Sequence, residues 1–289
     1  MNKNFWISSS FFSSKNIDDL VQSMSIFGLN KVELTAGFDQ DEDIDKKLVE
    51  YEKEGFEFLI HNYFPRPKED FVINLGSIDN SIQDMTVEHC KRSIELASKL
   101  KNKIFSVHAG FAFEMDEFLI GNMVKQKSVV EEGNFDIGKS FQNMVNNSNI
   151  ILNHANDLNV QVLFENNMIP DIRGFRKTSI PYHLIDPKGI NSFFSELKYK
   201  NCGLILDVAH AKIVSEIIDI DPVNYFDITN IKFLQLSEPD GIKDSSKIFD
   251  ENSWFFDKLG MFGLDKLILE VKESDIKKFE NFTAMLTKL

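Results

Sequence analysis

The stretch Cys202-Gly203-Leu204-Ile205-Leu206-Asp207, followed by Val208-Ala209-His210, decides how this chain is read. Gly203 to Leu206 is small or apolar throughout, without alternation, and suits a strand buried on both faces, as in parallel sheet. The run ends on a carboxylate, with an imidazole three residues later. An ionised Asp at the end of a buried strand is costly unless a cation, a donor or water meets it. Taken alone, Asp207 also reads as an N-cap that holds the first amides of a following helix.

It does not stand alone. The run 160–164 ends on Glu165-Asn166-Asn167, and 266–269 ends on Glu270. Glu57-Phe58-Leu59-Ile60 ends on His61, and Ile104-Phe105-Ser106-Val107 ends on His108-Ala109-Gly110. Ile231 to Leu236 runs into Ser237-Glu238-Pro239-Asp240. In a parallel barrel all strands point one way, so these polar ends converge on one rim. Independent N-caps do not explain two His and two Glu, poor capping residues, at such positions.

Between these ends the chain alternates. Phe5-Trp6-Ile7-Ser8-Ser9 predicts a first strand, and Asn16 opens a helix with Leu20, Met24 and Phe27 on one side and Gly28 closing it. Lys31-Val32-Glu33-Leu34-Thr35 predicts the second strand. Helices are expected after the acidic run 39–45 (a solvated face, whose spacing fits no calcium loop), over 86–99, 135–158 and 190–197, and from Asp275 on. Long connections at 62–70, 110–134, 168–187 and 238–252 all follow strand ends. Eight strand-like runs alternating with helices predict one α/β domain, a (β/α)8 TIM barrel over 1–289. A doubly wound open sheet is the runner-up, and no glycine-rich dinucleotide or phosphate fingerprint supports it.

Composition narrows the function. The chain has 289 residues, and 32 basic against 45 acidic ones give a net charge of −13, which disfavours nucleic acid as a partner. No run approaches the ~18 apolar residues of a membrane span. Serines follow Phe5-Trp6-Ile7 where a leader would be apolar, so a cytoplasmic chain without a signal peptide is expected. Cys90 and Cys202 read as reduced thiols.

Glu165, Asp207 and Glu270 are three carboxylates on one inferred rim. They cannot all stay ionised in a pocket without a counter-charge, and a divalent cation is the simplest one. Oxygen-rich ligation favours manganese or magnesium, whereas added imidazoles move the preference towards zinc, cobalt or manganese. His61, His108 and His210 share the rim, while His89, His154 and His183 lack such a setting and read as structural. Arg66, Arg173, Arg176 and Lys177 lie in the long loops and are candidates to clamp an anionic substrate group, or else are solvated loop charges.

His61-Asn62-Tyr63, His108-Ala109-Gly110, Phe164-Glu165-Asn166, Leu206-Asp207-Val208-Ala209-His210 and Glu270, in that strand order, resemble the xylose isomerase-like TIM barrels. That superfamily holds sugar isomerases and epimerases together with apurinic-site nucleases of the endonuclease IV type. In the epimerase branch the resemblance implies that Glu165 and Glu270 bind the metal and move protons, that Asp207 is a further ligand, and that His210 holds a substrate oxygen. His61, His108, Asn166, Arg66, Arg173 and Arg176 complete the expected substrate contacts. The family's fourth ligand is a His on strand seven, where this chain has Gln235 before Leu236-Ser237. A neutral amide oxygen predicts a weaker, different or absent metal, with manganese or magnesium ahead of zinc or cobalt.

The nuclease branch also needs an Asp-x-His after strand seven, and the nearest match, Asp244-Ser245-Ser246, lacks the imidazole. The expected activity is therefore proton abstraction next to the carbonyl of a small sugar. A phosphodiester hydrolase and a non-catalytic sugar-binding barrel are the alternatives, and a homo-oligomer is compatible with either. Asn62-Tyr63-Phe64-Pro65-Arg66-Pro67 is similar to a bacterial sugar phosphate isomerase/epimerase-like subgroup, part of it linked to surface-glycan synthesis.

Overall fold

The computed structural model describes residues 4–116, 118–119, 121–173, 180–272 and 276–286. Eight parallel strands close into a barrel: β1 (Trp6–Ser8), β2 (Lys31–Leu34), β3 (Glu57–His61), β4 (Ile104–His108), β5 (Gln161–Glu165), β6 (Cys202–Asp207), β7 (Ile231–Leu236) and, last in the chain, β10 (Leu267–Leu269). Going round, the order is β1-β10-β7-β6-β5-β4-β3-β2, with every pairing parallel. The expected (β/α)8 architecture is the one observed.

The helices are α1 (Ile17–Ile26), α2 (Ile44–Lys53), α3 (Asn80–Ser98), α4 (Met123–Glu132), α5 (Ile137–Asp157), α6 (Pro187–Glu196), α7 (Val208–Ile218) and α8 (Ile276–Leu286). Local chemistry starts and stops them. Asn16 caps α1 by accepting from the Asp19 amide at 2.9 Å, and Gly28 takes the left-handed φ of 62° just past its end. Asp186 caps α6, with Pro187 in the first turn where its missing N–H costs nothing. No helix among the described residues is long and apolar enough to cross a membrane. Cys90 and Cys202 are buried and unpaired.

Two segments carry more structure than expected. The connection 110–134 includes α4, and 238–252 includes a hairpin of β8 (Glu238–Asp240) and β9 (Lys243–Lys247). α3 also begins at Asn80 rather than near Thr86, because Asp79 accepts from the Ser81 and Ile82 amides and starts the helix earlier.

The core is layered. Outward-facing strand residues such as Phe58, Phe105, Phe164 and Leu204 pack against the helices. A separate inner cluster fills the barrel: Trp6, Leu59, Leu163, Ile205, Phe233 and Ile268, each at most 3 % exposed. Side chains on a strand alternate faces with a period of two. The inward position after each plug residue is therefore Ser8, His61, Glu165, Asp207, Gln235 or Glu270. The plug closes the barrel below and leaves these groups as the next layer up, at the C-terminal mouth.

Candidate active site at the C-terminal mouth

Glu165 is the centre of the layer. Its Oε1 lies 3.3 Å from His210 Nδ1 and 3.5 Å from His108 Nδ1, and its Oε2 lies 3.6 Å from His61 Nε2. The His61 and His108 rings meet edge to face at 5.3 Å. His61 Nδ1 is fixed from behind by Ser106 Oγ at 3.0 Å. On the far side the Gln235 amide donates to Glu270 Oε2 at 2.8 Å and approaches Glu33 Oε2 at 3.5 Å.

Asp207 takes the capping role open to it in the sequence. It caps α7, its Oδ1 accepting the His210 amide at 2.7 Å, while Oδ2 stands 3.8 Å from His210 Nδ1. The cap turns the chain so that His210 faces back over the mouth. Asn166 holds the same turn: its side chain donates to the Asp207 carbonyl at 3.0 Å and accepts the Asp207 amide at 2.8 Å, and its own carbonyl lies 2.9 Å from His210 Nδ1. Both ends of the Asn166 amide are thus used on backbone.

Burial and crowding polarise these groups. Burial pushes Glu165 up, but His108, the His210 hydrogen bond and His61 outweigh it and hold the carboxyl at about 2. Burial pushes His210 down, and Asp207 and Glu165 raise it well above the ordinary histidine value. Burial first, then neighbouring carboxylates, raise Glu33 and Glu270 well above the usual range; Asp207 is raised to about 7 by burial and Glu165, against His210. Burial lowers His61 to about 4.

The donor set fits a divalent cation. Glu33 Oε1, Glu165 Oε2 and Gln235 Oε1 are buried without a hydrogen-bond partner, which is expensive unless something positive meets them. Ligand atoms of Glu165, Asp207 and His210 lie within 4.8 Å of one another, as do those of His61, His108 and Glu165. Mixed imidazole and carboxylate donors suit manganese, cobalt or zinc.

Above this layer is a cavity of about 320 Å³, lined among others by His61, His108, Glu165, His210, Gln235 and Glu270. The loop arginines stand elsewhere. Arg66 is exposed and pairs with Asp70 at 3.3 Å, and Arg173 is exposed and pairs with Asp171 at 2.7 Å. Arg176 and Lys177 lie outside the described residues. His89 bonds the Asn62 carbonyl at 2.8 Å and His183 bonds Ser140 Oγ at 2.8 Å, both buried and outside the cavity lining.

Two site residues escaped the sequence reading. Glu33 is fully buried on β2, its Oε1 3.7 Å from His61 Nδ1. Its signal was a carboxylate between Val32 and Leu34 in a strand buried on both faces. Asp244, from the β8–β9 hairpin, brings Oδ2 to 3.8 Å from His210 Nε2 and lines the cavity. Its only local mark is the incomplete Asp-x-His match at 244–246, and the hairpin's fold-back is what carries it to the mouth.

Known proteins share this scaffold. A D-tagatose 3-epimerase-like protein superposes with a TM-score of 0.71 at 18% identity, over 98% of this chain and 96% of that one. A 3-keto-D-glucoside 4-epimerase from E. coli gives 0.63 at 10% identity, over 99% and 98%. A probable 3-DHS dehydratase from Bacillus anthracis gives 0.62 at 16% identity, over 98% of both chains. No curated protein matches the sequence significantly. The sequence model of the xylose isomerase-like TIM barrel matches residues 24–281. With a closed eight-stranded barrel and a carboxylate–imidazole layer at its mouth, the chain belongs to the xylose isomerase-like TIM barrel family.

Proposed function

We propose that the chain is a sugar isomerase or epimerase that moves a proton on the carbon next to a carbonyl. One observation carries this reading: Glu165 and Glu270 face the same cavity from β5 and from just past β10, three strands apart around the barrel. A substrate carbon between them meets one carboxyl on each side. Groups whose surroundings push them apart in acidity are suited to acid and base roles. Glu165, its carboxyl lowered by His108, His210 and His61, is placed to accept the proton, and Glu270, its carboxyl raised by burial and hydrogen-bonded by Gln235, is placed to return one.

His210, held protonated, donates to a substrate oxygen. His61 and His108, with Asn166 setting the β6–α7 turn, fix the substrate's orientation. Glu165, Asp207, Gln235 and Glu270 are the residues that would hold a divalent cation, manganese or magnesium before zinc or cobalt. Such an ion, when bound, supplies positive charge where the enediolate develops. Epimerase activities named for two of the structural relatives support the reading. A place in surface-glycan synthesis rests on the 62–67 segment alone.

The test is exchange in deuterated water with added manganese and a panel of ketoses and aldoses. Deuterium should enter the carbon next to the carbonyl, and Glu165→Gln or Glu270→Gln should each stop it in folded protein. Unchanged exchange in both variants rejects the roles, and a hydride shift would give no wash-in even in the parent. Dehydration, the activity named for the Bacillus anthracis relative, begins with the same proton abstraction. Loss of a hydroxyl from the product would identify it.

A further inference from the structure

A second cavity, of about 770 Å³ and more than twice the volume of the catalytic one, opens beside it. It lies over the C-terminal ends of β1 to β3, between Gly37 after β2, the loop that follows β3, and the first turns of α3. Tyr63, Val72 and Met115 line both cavities, so the two are neighbouring compartments with a common wall. That wall is held in place: the Tyr63 hydroxyl accepts the Ile73 amide at 2.9 Å, and Ile73 itself lines the catalytic cavity. Proton transfer at one carbon does not need this second space. A pocket this size is ample for another ring.

Its chemistry selects what that ring is. Phe38, Tyr63 and Phe71 present aromatic surface, and Ile82 and Met85 extend the apolar floor from α3. The polar groups are Asp39, Asp70 and Asp116 against Lys15 and Arg66. Arg66 is already paired with Asp70, and Lys15 Nζ donates to the Gly37 carbonyl at 3.4 Å. Among the described residues three carboxylates stand against two cations, a balance that disfavours a phosphate or nucleotide. A purely apolar group would leave the carboxylate rim without donors. A pyranose or furanose ring satisfies both, laying its C–H face on the aromatic rings and its hydroxyls against the carboxylates.

We propose that this compartment binds a second, neutral glycosyl unit, so that the substrate is a ketose or related sugar carried in a disaccharide or longer glycan rather than a free monosaccharide. The inference rests on the sugar-acting reading of the neighbouring site and adds the substrate class. The catalytic mouth takes the reacting unit, Tyr63 stands at the junction, and the unit beyond it contributes binding without taking part in proton transfer.

Calorimetry and deuterium exchange on the manganese-supplemented full chain test this together. The probes are a ketose, its phosphate, and disaccharides that end in that ketose through different linkages. At least one disaccharide should bind 10-fold or more tightly than the free ketose. Met85→Trp and Ile82→Trp, which fill the compartment from α3, should each reduce that ratio to near one, with circular dichroism confirming the fold. Equal affinity for every disaccharide and the monosaccharide overturns the proposal. So does a preference that survives both folded variants, or tighter binding of the phosphate. Wash-in without a disaccharide preference overturns it while leaving the proton-transfer reading intact. A preference abolished by the variants, but without wash-in, upholds the compartment and rejects the chemistry assigned next door.

Discussion

The side-chain amide of Gln235 donates to Glu270 Oε2 at 2.8 Å, and its own oxygen is left buried without a partner. Resemblance to the family placed an imidazole here, and the amide does something an imidazole does differently. It spends its hydrogens on the carboxyl groups of Glu270 and Glu33 and leaves its oxygen as a free acceptor.

That relationship predicts the outcome of restoring the ring. The strand ladder, with Leu234 and Leu236 packed in the core, sets the backbone of β7, so the exchange need not move it. Gln235→His should tighten manganese, cobalt or zinc by a factor on the order of 10 to 100, the scale of changes around a metal site. Metal titration of parent and variant reads it. Unchanged affinity would place Gln235 outside the ligand shell.

Glu33 gives a stability prediction. Its folded carboxyl titrates well above the unfolded value, so the folded state keeps the proton longer than the unfolded one. The stability from this group is complete below the unfolded carboxyl range and is lost as the pH rises towards the folded value. Glu33→Gln should therefore raise the Tm of metal-free protein at pH 8 and make no difference near pH 3. The scale is roughly 2–4 °C for each kcal/mol recovered. Scanning calorimetry of chelated protein at both pH values checks it, and equal Tm shifts at both would refute it.

His183 has the opposite sign. Burial lowers it to about 4, so the folded state resists a proton that the unfolded chain accepts from about pH 6.5 down. Its contribution is present above that value and is lost as the pH falls through 4, on the order of 3 kcal/mol. His183→Gln, which keeps a polar partner for Ser140, should flatten the acid limb of denaturant midpoints measured from pH 7 to pH 4. An acid limb as steep as the parent's would rule this out.

Asp244 bears on His210. It approaches the far ring nitrogen from the hairpin and, after Asp207 and Glu165, helps keep His210 protonated. In metal-free protein Asp244→Asn should lower the pH at which His210 loses its proton, followed by NMR of its ring C–H. With metal and substrate, exchange should slow by about 10-fold, the scale of an outer contact to a ligand. A His210 titration that does not move would exclude the contact.

Much of this protein is determined locally. Strand positions are legible because the runs around Leu163, Ile205 and Phe233 are long, apolar and punctuated, and a barrel buries both faces of each strand. Once all strands are parallel, the period of two carries His61, Glu165, Asp207 and Glu270 to one mouth, so the family and the outline of the site follow from chain order. Tertiary structure decided what depends on contacts across that order. Glu33 becomes part of the site only when β2 closes against β1 and β3 and brings it beside His61. Asp244 does so only because a hairpin folds back over α7. The acidities of Glu165 and Glu270, two similar carboxyls by sequence, diverge because one meets three imidazoles and the other an amide and more carboxylates. Charge acts through space and sequence spacing does not encode it, so the different acidities of these groups arise only in the folded barrel.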